Sequence, residues 1–113
     1  MGQLHILYNL DKKEYIHGHR LGIGLKLMEQ CGFEKSTATG LWLLLANSNG
    51  RGGGDALEHP MVGRWAGDRI VVQGDYAEPT DKAYLTEQER KDFTDISAEI
   101  KALLDVEYAE YIE

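Results

Sequence analysis

The stretch 63–77 constrains the fold more strongly than any other part of this sequence. It joins an aromatic segment around Trp65, a Gly67-Asp68 pair and a β-branched run over 70–72. Residues of these types in this order are typical of two strands joined by a tight turn. We therefore predict a β-hairpin over 63–77 with the Gly-Asp pair in its turn.

Further strands are predicted from other apolar patterns. Leu4, Ile6 and Tyr8 alternate with mostly polar neighbours, which predicts a strand with one face turned inward. A turn follows it, and residues 14–17 can return as the second arm of a hairpin. The run 39–47 is apolar on both alternating faces, which predicts a strand in the middle of a covered sheet.

Two helices and one capped turn are predicted from spacing and capping residues. The C-terminal helix has Thr94 or Asp95 as its N-cap, and a short helix over 23–31 ends at Gly32. Thr86 to Glu89 fits a capping box, which allows a short polar helix through Lys91. The apolar stripe of the C-terminal helix recurs at i, i+4, i+7 and i+8: Ile96, Ile100, Leu103 and Leu104.

Together these elements predict the α+β fold class. We expect about five mostly antiparallel strands, a C-terminal amphipathic helix packed on the sheet and the short helix at 23–31. With 113 residues and 42% hydrophobic content, the chain has room for one core. A single α+β domain over residues 1–113 is therefore predicted.

Composition narrows the functional classes. The formal charge is −7, from 12 Lys and Arg against 19 Asp and Glu, which argues against general nucleic-acid binding. The one cysteine, Cys31, cannot form an internal disulfide, and we expect a buried thiol. The sequence shows neither a signal-peptide pattern nor a membrane-spanning run. We predict a small acidic protein of the cytoplasm.

The glycine-dense loop over 48–55 is the first candidate site. Its backbone N–H groups could form an anion-binding nest beside Arg51, although a flexible connection between two strands is the favoured alternative. It lacks the Walker and dinucleotide-binding patterns. The predicted ligand- or partner-binding residues of this loop are Asn49, Arg51, Gly52, Gly53 and Asp55.

Three charged residues outside the loop complete the predicted binding site. Arg20 lies in the turn at 18–22, and Arg69 and Asp75 lie in the predicted hairpin. With Arg51 they could engage a protein partner or a small anionic ligand. The first hypothesis is therefore a non-enzymatic binding protein with no catalytic residue and no cofactor.

A metal-assisted hydrolase or nucleotide-processing enzyme is the second hypothesis. His17 and His19 form a His-x-His pair that points to one side if the backbone is extended, and Asp55 and Asp75 could supply carboxylates. No further metal motif accompanies the pair. Surface or partly packed histidines are therefore favoured over a metal site.

A structural homo-oligomer is the third hypothesis. It would place Tyr108, Tyr111 and Ile112 of the C-terminal tail in a subunit contact. Trp42 and Trp65 are predicted core aromatics rather than stacking platforms, because each lies in a predicted apolar strand.

Four motif blocks carry a resemblance that spans the chain to about Ser97. They are NLDKKEYI at 9–16, HRLGIGLKL at 19–27, NGRGGGD at 49–55 and WAGDRIV with GDY between 65 and 76. The chain thereby resembles a family of small uncharacterised bacterial and mobile-element proteins, from which Gly18 departs where the pattern has proline. The resemblance implies that the blocks meet in space. It also implies, by analogy, a protein that binds a host factor, such as an accessory or inhibitor protein.

Overall fold

The structure, a computed structural model, describes residues 2–112, and from residue 107 it describes the helical backbone alone. Its strands and helices are, in order, β1 (His5–Asn9), β2 (Glu14–Ile16), α1 (Thr37–Leu45), β3 (Ile70–Gly74), α2 (Glu87–Arg90), β4 (Thr94–Asp95) and α3 (Ser97–Ile112). Two short 3₁₀ helices, Gly18–Leu21 and Leu27–Gln30, lie between β2 and α1. The predicted α+β class and the C-terminal helix are confirmed.

The four strands form one sheet in the order β3-β1-β2-β4. Strand β1 pairs antiparallel with β2 and with β3, so that Leu7 lies opposite both Ile16 and Val72. Strands β2 and β4 pair in parallel. The predicted hairpin of β1 and β2 is confirmed, and most pairs are antiparallel, but the sheet described has four strands rather than five.

The predicted central strand at 39–47 is wrong, because helix α1 occupies most of this segment. The Ser36 hydroxyl accepts a hydrogen bond from the Thr39 N–H at 3.4 Å and caps the helix. Gly40 allows close packing, since a Cβ there would lie 2.7 Å from Ile100 Cγ2 of α3. A run that is apolar throughout fits the strand and helix periods equally, and Leu and Ala then favour the helix.

The predicted hairpin over 63–77 is also wrong. Only β3 within it is a strand, and its partner is β1. The segment before β3 forms turns that cap α1 instead. The N–H groups of Gly63 and Trp65 donate to the carbonyls of Leu43 and Leu44, each at 2.9 Å. These bonds satisfy carbonyls that the end of a helix leaves without partners.

The predicted short helix at 23–31 is wrong, because within this range only Leu27–Gln30 is helical, and it forms a 3₁₀ helix. Gly22, with φ of 88°, takes the left-handed conformation that commonly ends a helix. Leu25 is buried as expected, whereas Met28 is exposed. Leu25 lies before the second 3₁₀ helix and Met28 lies within it, so the two residues do not share one helical face.

Helix α3 packs against the first 3₁₀ helix and α1, and it contributes Ile100 and Leu104 to the core. The Asp95 carboxylate accepts the Ser97 N–H at 2.8 Å, as expected for a residue at the start of this helix. The capping box between Thr86 and Glu89 is confirmed. No helix in the described part of the chain is long and apolar enough to cross a membrane. The core cluster comprises Leu7, Ile16, Leu21, Leu44, Trp65, Ile96, Ile100 and Leu104.

Candidate functional site

A buried carboxylate, Glu14, joins the first hairpin to the turns before β3. Its Oε1 accepts the indole N–H of Trp65 at 2.7 Å and the Nε–H of Arg64 at 3.1 Å. Its Oε2 accepts a second bond from the same guanidinium. Trp65 is fully buried, so its prediction as a core aromatic is confirmed. Because bonds reach both oxygens, the carboxylate can remain ionised inside the fold.

The same two segments meet again at the turn after β1. The buried Asn9 side chain donates to Asp68 Oδ2 at 2.9 Å and accepts the N–H groups of Asp11 and Lys12. Lys12 Nζ also lies 2.6 Å from Asp68 Oδ2. On the surface, the Asp11 carboxylate accepts the backbone and side-chain N–H groups of Arg69 at 2.7 to 2.9 Å. The motif block at 9–16 therefore lies against the block that begins at Trp65.

These hydrogen bonds and ion pairs hold the first hairpin against the turns before β3. The polar groups that take part in them are bonded to one another. Burial alone would raise the pKa of Glu14, but hydrogen bonds from Arg64 and Trp65 outweigh it and hold that pKa below its ordinary value. The hydrogen bonds from Lys12 and Asn9 likewise lower the pKa of Asp68. The carboxylates of Glu14 and Asp68 are therefore kept ionised, and in that form they accept the hydrogen bonds described above.

The glycine loop folds onto itself. The Asp55 carboxylate accepts the N–H groups of Arg51 and Gly52 at 2.9 and 3.2 Å, and these bonds lower the pKa of Asp55. Asn49 closes the loop by bonding Ala56 N–H at 2.8 Å. N–H groups that we predicted for an external anion therefore bind a carboxylate of the chain itself.

A surface cavity of about 640 Å³ lies between this loop and the turns before β3. Its lining includes Asn49, Gly50, Arg51, Glu58 and His59. His59 Nδ1 accepts the N–H of the residue two positions later, so that ring is fixed by its own turn. Of the predicted loop residues, Gly52, Gly53 and Asp55 do not line the cavity.

The other predicted site residues lie apart, and each has a partner. Arg20 forms an ion pair with Asp95 at 2.9 Å, and Arg69 pairs with Asp11. The Asp75 carboxylate accepts a backbone N–H near the start of β1. Their roles in binding stay predictions.

The side chains of His17 and His19 lie close together. The ring centroids of His17 and His19 lie 5.3 Å apart. Burial, followed by the nearby positive groups of His19 and Arg20, lowers the pKa of His17. Within the part of the chain that the structure describes, no group of three or more His, Cys, Asp or Glu side chains could hold a metal ion.

The largest departure from sequence expectation is the outer face of α1. Trp42, predicted as a core residue, is 80% exposed, and Leu45 beside it on the helix is 37% exposed. Ala38 lies on the same exposed face, one turn before Trp42. The helix buries Thr37, Gly40 and Leu44 instead. We did not predict this exposed surface, because we expected Trp42 to lie in a central strand that other elements cover on both sides.

Two further predictions concern exposure and the C-terminal tail. Cys31 is exposed, which corrects the expected buried thiol. The predicted contact residues Tyr108, Tyr111 and Ile112 lie outside the described side chains.

Comparisons with known proteins identified no relative of this chain. Neither family models, curated proteins nor solved structures gave a match to the chain. The function is therefore inferred from the surfaces described above.

Proposed function

We propose that this chain is a small, non-enzymatic binding protein of the cytoplasm that contacts another protein through the outer face of α1. The single observation that carries the proposal is the exposure of Trp42 on a helix whose nine residues include no charged side chain. Helices that are apolar on every side are ordinarily buried. Here one side faces water, and a partner would supply the missing cover.

The chemistry of the surface indicates the kind of partner. Exposed tryptophans are enriched among the residues that dominate protein–protein binding, where they fill desolvated pockets. The chain carries a net charge of −7, so a basic surface would be attracted to it. We therefore propose a protein with an apolar groove bordered by lysine or arginine. A host factor bound by a mobile-element protein fits this description.

Two other hypotheses receive less support. The small anionic ligand would compete with Asp55 for the loop N–H groups of Arg51 and Gly52. The metal-assisted enzyme would need His17 and His19 to gain ligands that the described side chains do not bring to them.

The proposal is tested by site-specific photocrosslinking in the native cytoplasm. A photoreactive amino acid replaces Ala38, Trp42 or Leu45 in turn, and Leu4 as a matched exposed control on another surface. We expect the three α1 positions to capture the same protein and the Leu4 position to miss it. The crosslinked peptide should border an apolar groove with basic residues.

Two results would contradict the proposal. One is capture from Leu4 as efficient as capture from α1. The other is a crosslinked product with twice the mass of the chain itself, because it would identify a second copy as the cover of α1.

A variant with Trp42→Glu should lose the partner while keeping its melting temperature, since the side chain is largely in water already.

A further inference from the structure

The cavity between the glycine loop and the turns before β3 has two opposite charges in its lining that do not pair with each other. Arg51 and Glu58 both line this space of about 640 Å³. No ion pair in the described part of the chain involves either side chain. A ligand that carries one charge of each sign would complement both residues.

His59 adds a hydrogen-bond donor to the same cavity. Its Nδ1 accepts the N–H of Met61 at 3.1 Å, so the neutral ring carries its hydrogen on Nε2. The site therefore offers Arg51 and His59 to an anionic group of a ligand and Glu58 to a cationic group.

Hydrogen bonds within the loop fix the segment that lines the cavity. Asn49 Oδ1 accepts the Ala56 N–H at 2.8 Å, and Asn49 Nδ2 donates to the Leu57 carbonyl at 3.2 Å. The Asp55 carboxylate holds the backbone N–H of Arg51 at 2.9 Å. Because the loop is already closed, a ligand does not have to order it, and this lowers the entropic cost of binding.

The remaining lining and the net charge restrict the kind of ligand. Ala46, Val62 and Ala66 contribute small apolar surface, and the described lining includes no Phe, Tyr or Trp on which a nucleobase could stack. The charge of −7 repels a polyanion, whereas a ligand with no net charge meets no such repulsion. These features favour a small zwitterion with an aliphatic body.

We propose that this cavity binds a free α-amino acid with an aliphatic side chain. The ligand carboxylate accepts hydrogen bonds from Arg51 and His59, and its ammonium group donates to Glu58. Its side chain contacts the apolar lining of Ala46 and Val62. The site uses other residues than the outer face of α1, so the failure of one proposal does not decide the other.

NMR titration with L-leucine tests the site. In two-dimensional spectra of the backbone amides, we expect the largest shifts at cavity residues such as Gly50, Arg51 and His59. N-acetyl-L-leucine lacks the ammonium charge, and L-leucinamide lacks the carboxylate. Each should bind about tenfold more weakly than leucine, because each leaves one charge of the cavity without its partner.

Two variants that each remove one charge assign the groups. Glu58→Gln should lose most of the preference for leucine over N-acetyl-L-leucine and keep the preference over L-leucinamide, and Arg51→Gln should do the reverse. The exposed Glu78→Gln and Lys91→Gln are matched controls and should bind all three compounds as the unmodified chain does. A merely structural role would change the three affinities together. Circular dichroism checks that each variant is folded.

Three results would overturn the proposal. In the first, leucine shifts no amide up to its solubility limit. In the second, the largest shifts lie outside the cavity lining. In the third, leucine and its two derivatives bind the unmodified chain equally well.

Discussion

Glu14 shows how one residue joins distant parts of the chain. It lies in β2, yet its carboxylate bonds Arg64 and Trp65, which are fifty residues further along. A buried charge is costly unless it is paired and hydrogen-bonded, and removing one partner leaves the other buried without compensation. The side chain therefore links the hairpin to the turns that cap α1. Protonation of its carboxylate should weaken the hydrogen bonds from Arg64 and Trp65.

The pH dependence of stability tests this role. The pKa of Glu14 lies below its ordinary value of 4.5 in the folded chain. A lowered folded pKa stabilises the fold above the unfolded pKa, and this stabilisation is lost as the pH falls through the folded pKa. We expect Glu14→Gln to cost about 2 kcal/mol at neutral pH and to flatten the loss of stability below pH 4.5.

Denaturant unfolding between neutral and acidic pH gives the measurement. The exposed Glu78→Gln is the matched control, and it should stay within about 0.5 kcal/mol of the unmodified chain with a parallel pH profile. Equal pH profiles for Glu14→Gln and the unmodified chain would contradict the assignment.

At the scale of elements, α1 marks the limit of sequence reasoning. Leu or Trp occupies every position from 41 to 45, which fits a strand and a helix alike. The deciding signals are a cap at Ser36 and a glycine that admits α3, and the second of these depends on a tertiary contact. Helix α3, whose buried residues Ile100, Leu103 and Leu104 recur at helical spacing, was predicted correctly. Exposure of Trp42 could not be predicted, because periodicity does not show which face a partner element covers.

Gly40 gives a prediction about this packing. Gly40→Ala improves intrinsic helix propensity by about 1 kcal/mol, but its Cβ would lie 2.7 Å from Ile100 Cγ2. Overpacking costs about 1–3 kcal/mol, so we expect a net loss of stability and a lower melting temperature. Gly52→Ala is the control, since nothing lies within 4 Å of a Cβ there. A Gly40→Ala protein as stable as Gly52→Ala would show that α3 can shift to accommodate the added methyl group without loss of stability.

Across the whole molecule, the sheet interleaves the two halves of the chain. Strands β1 and β2 precede the glycine loop, whereas β3 and β4 follow it and pair on either side of them. Local patterns indicated β1, β2 and the extended run of β3. They could not show that β3 pairs with β1, because the Gly67-Asp68 pair favoured a nearby partner and the actual one lies more than sixty residues away. The polar bonds of Asn9 and Glu14 that establish this arrangement have no local signature.

This topology predicts how the chain responds to a single cut. Arg51 lies in an exposed loop whose side-chain bonds join residues of the loop or its immediate flank, so limited trypsin should cleave after it first. Arg64 should resist, because Glu14 holds its guanidinium. The fragments should stay together on gel filtration and keep the circular dichroism of the intact chain, since each supplies two strands of the interleaved sheet. Arg51→Gln should remove the first cut. Separation of the fragments without denaturant, or a first cut after Arg64, would contradict the described connection between the two halves.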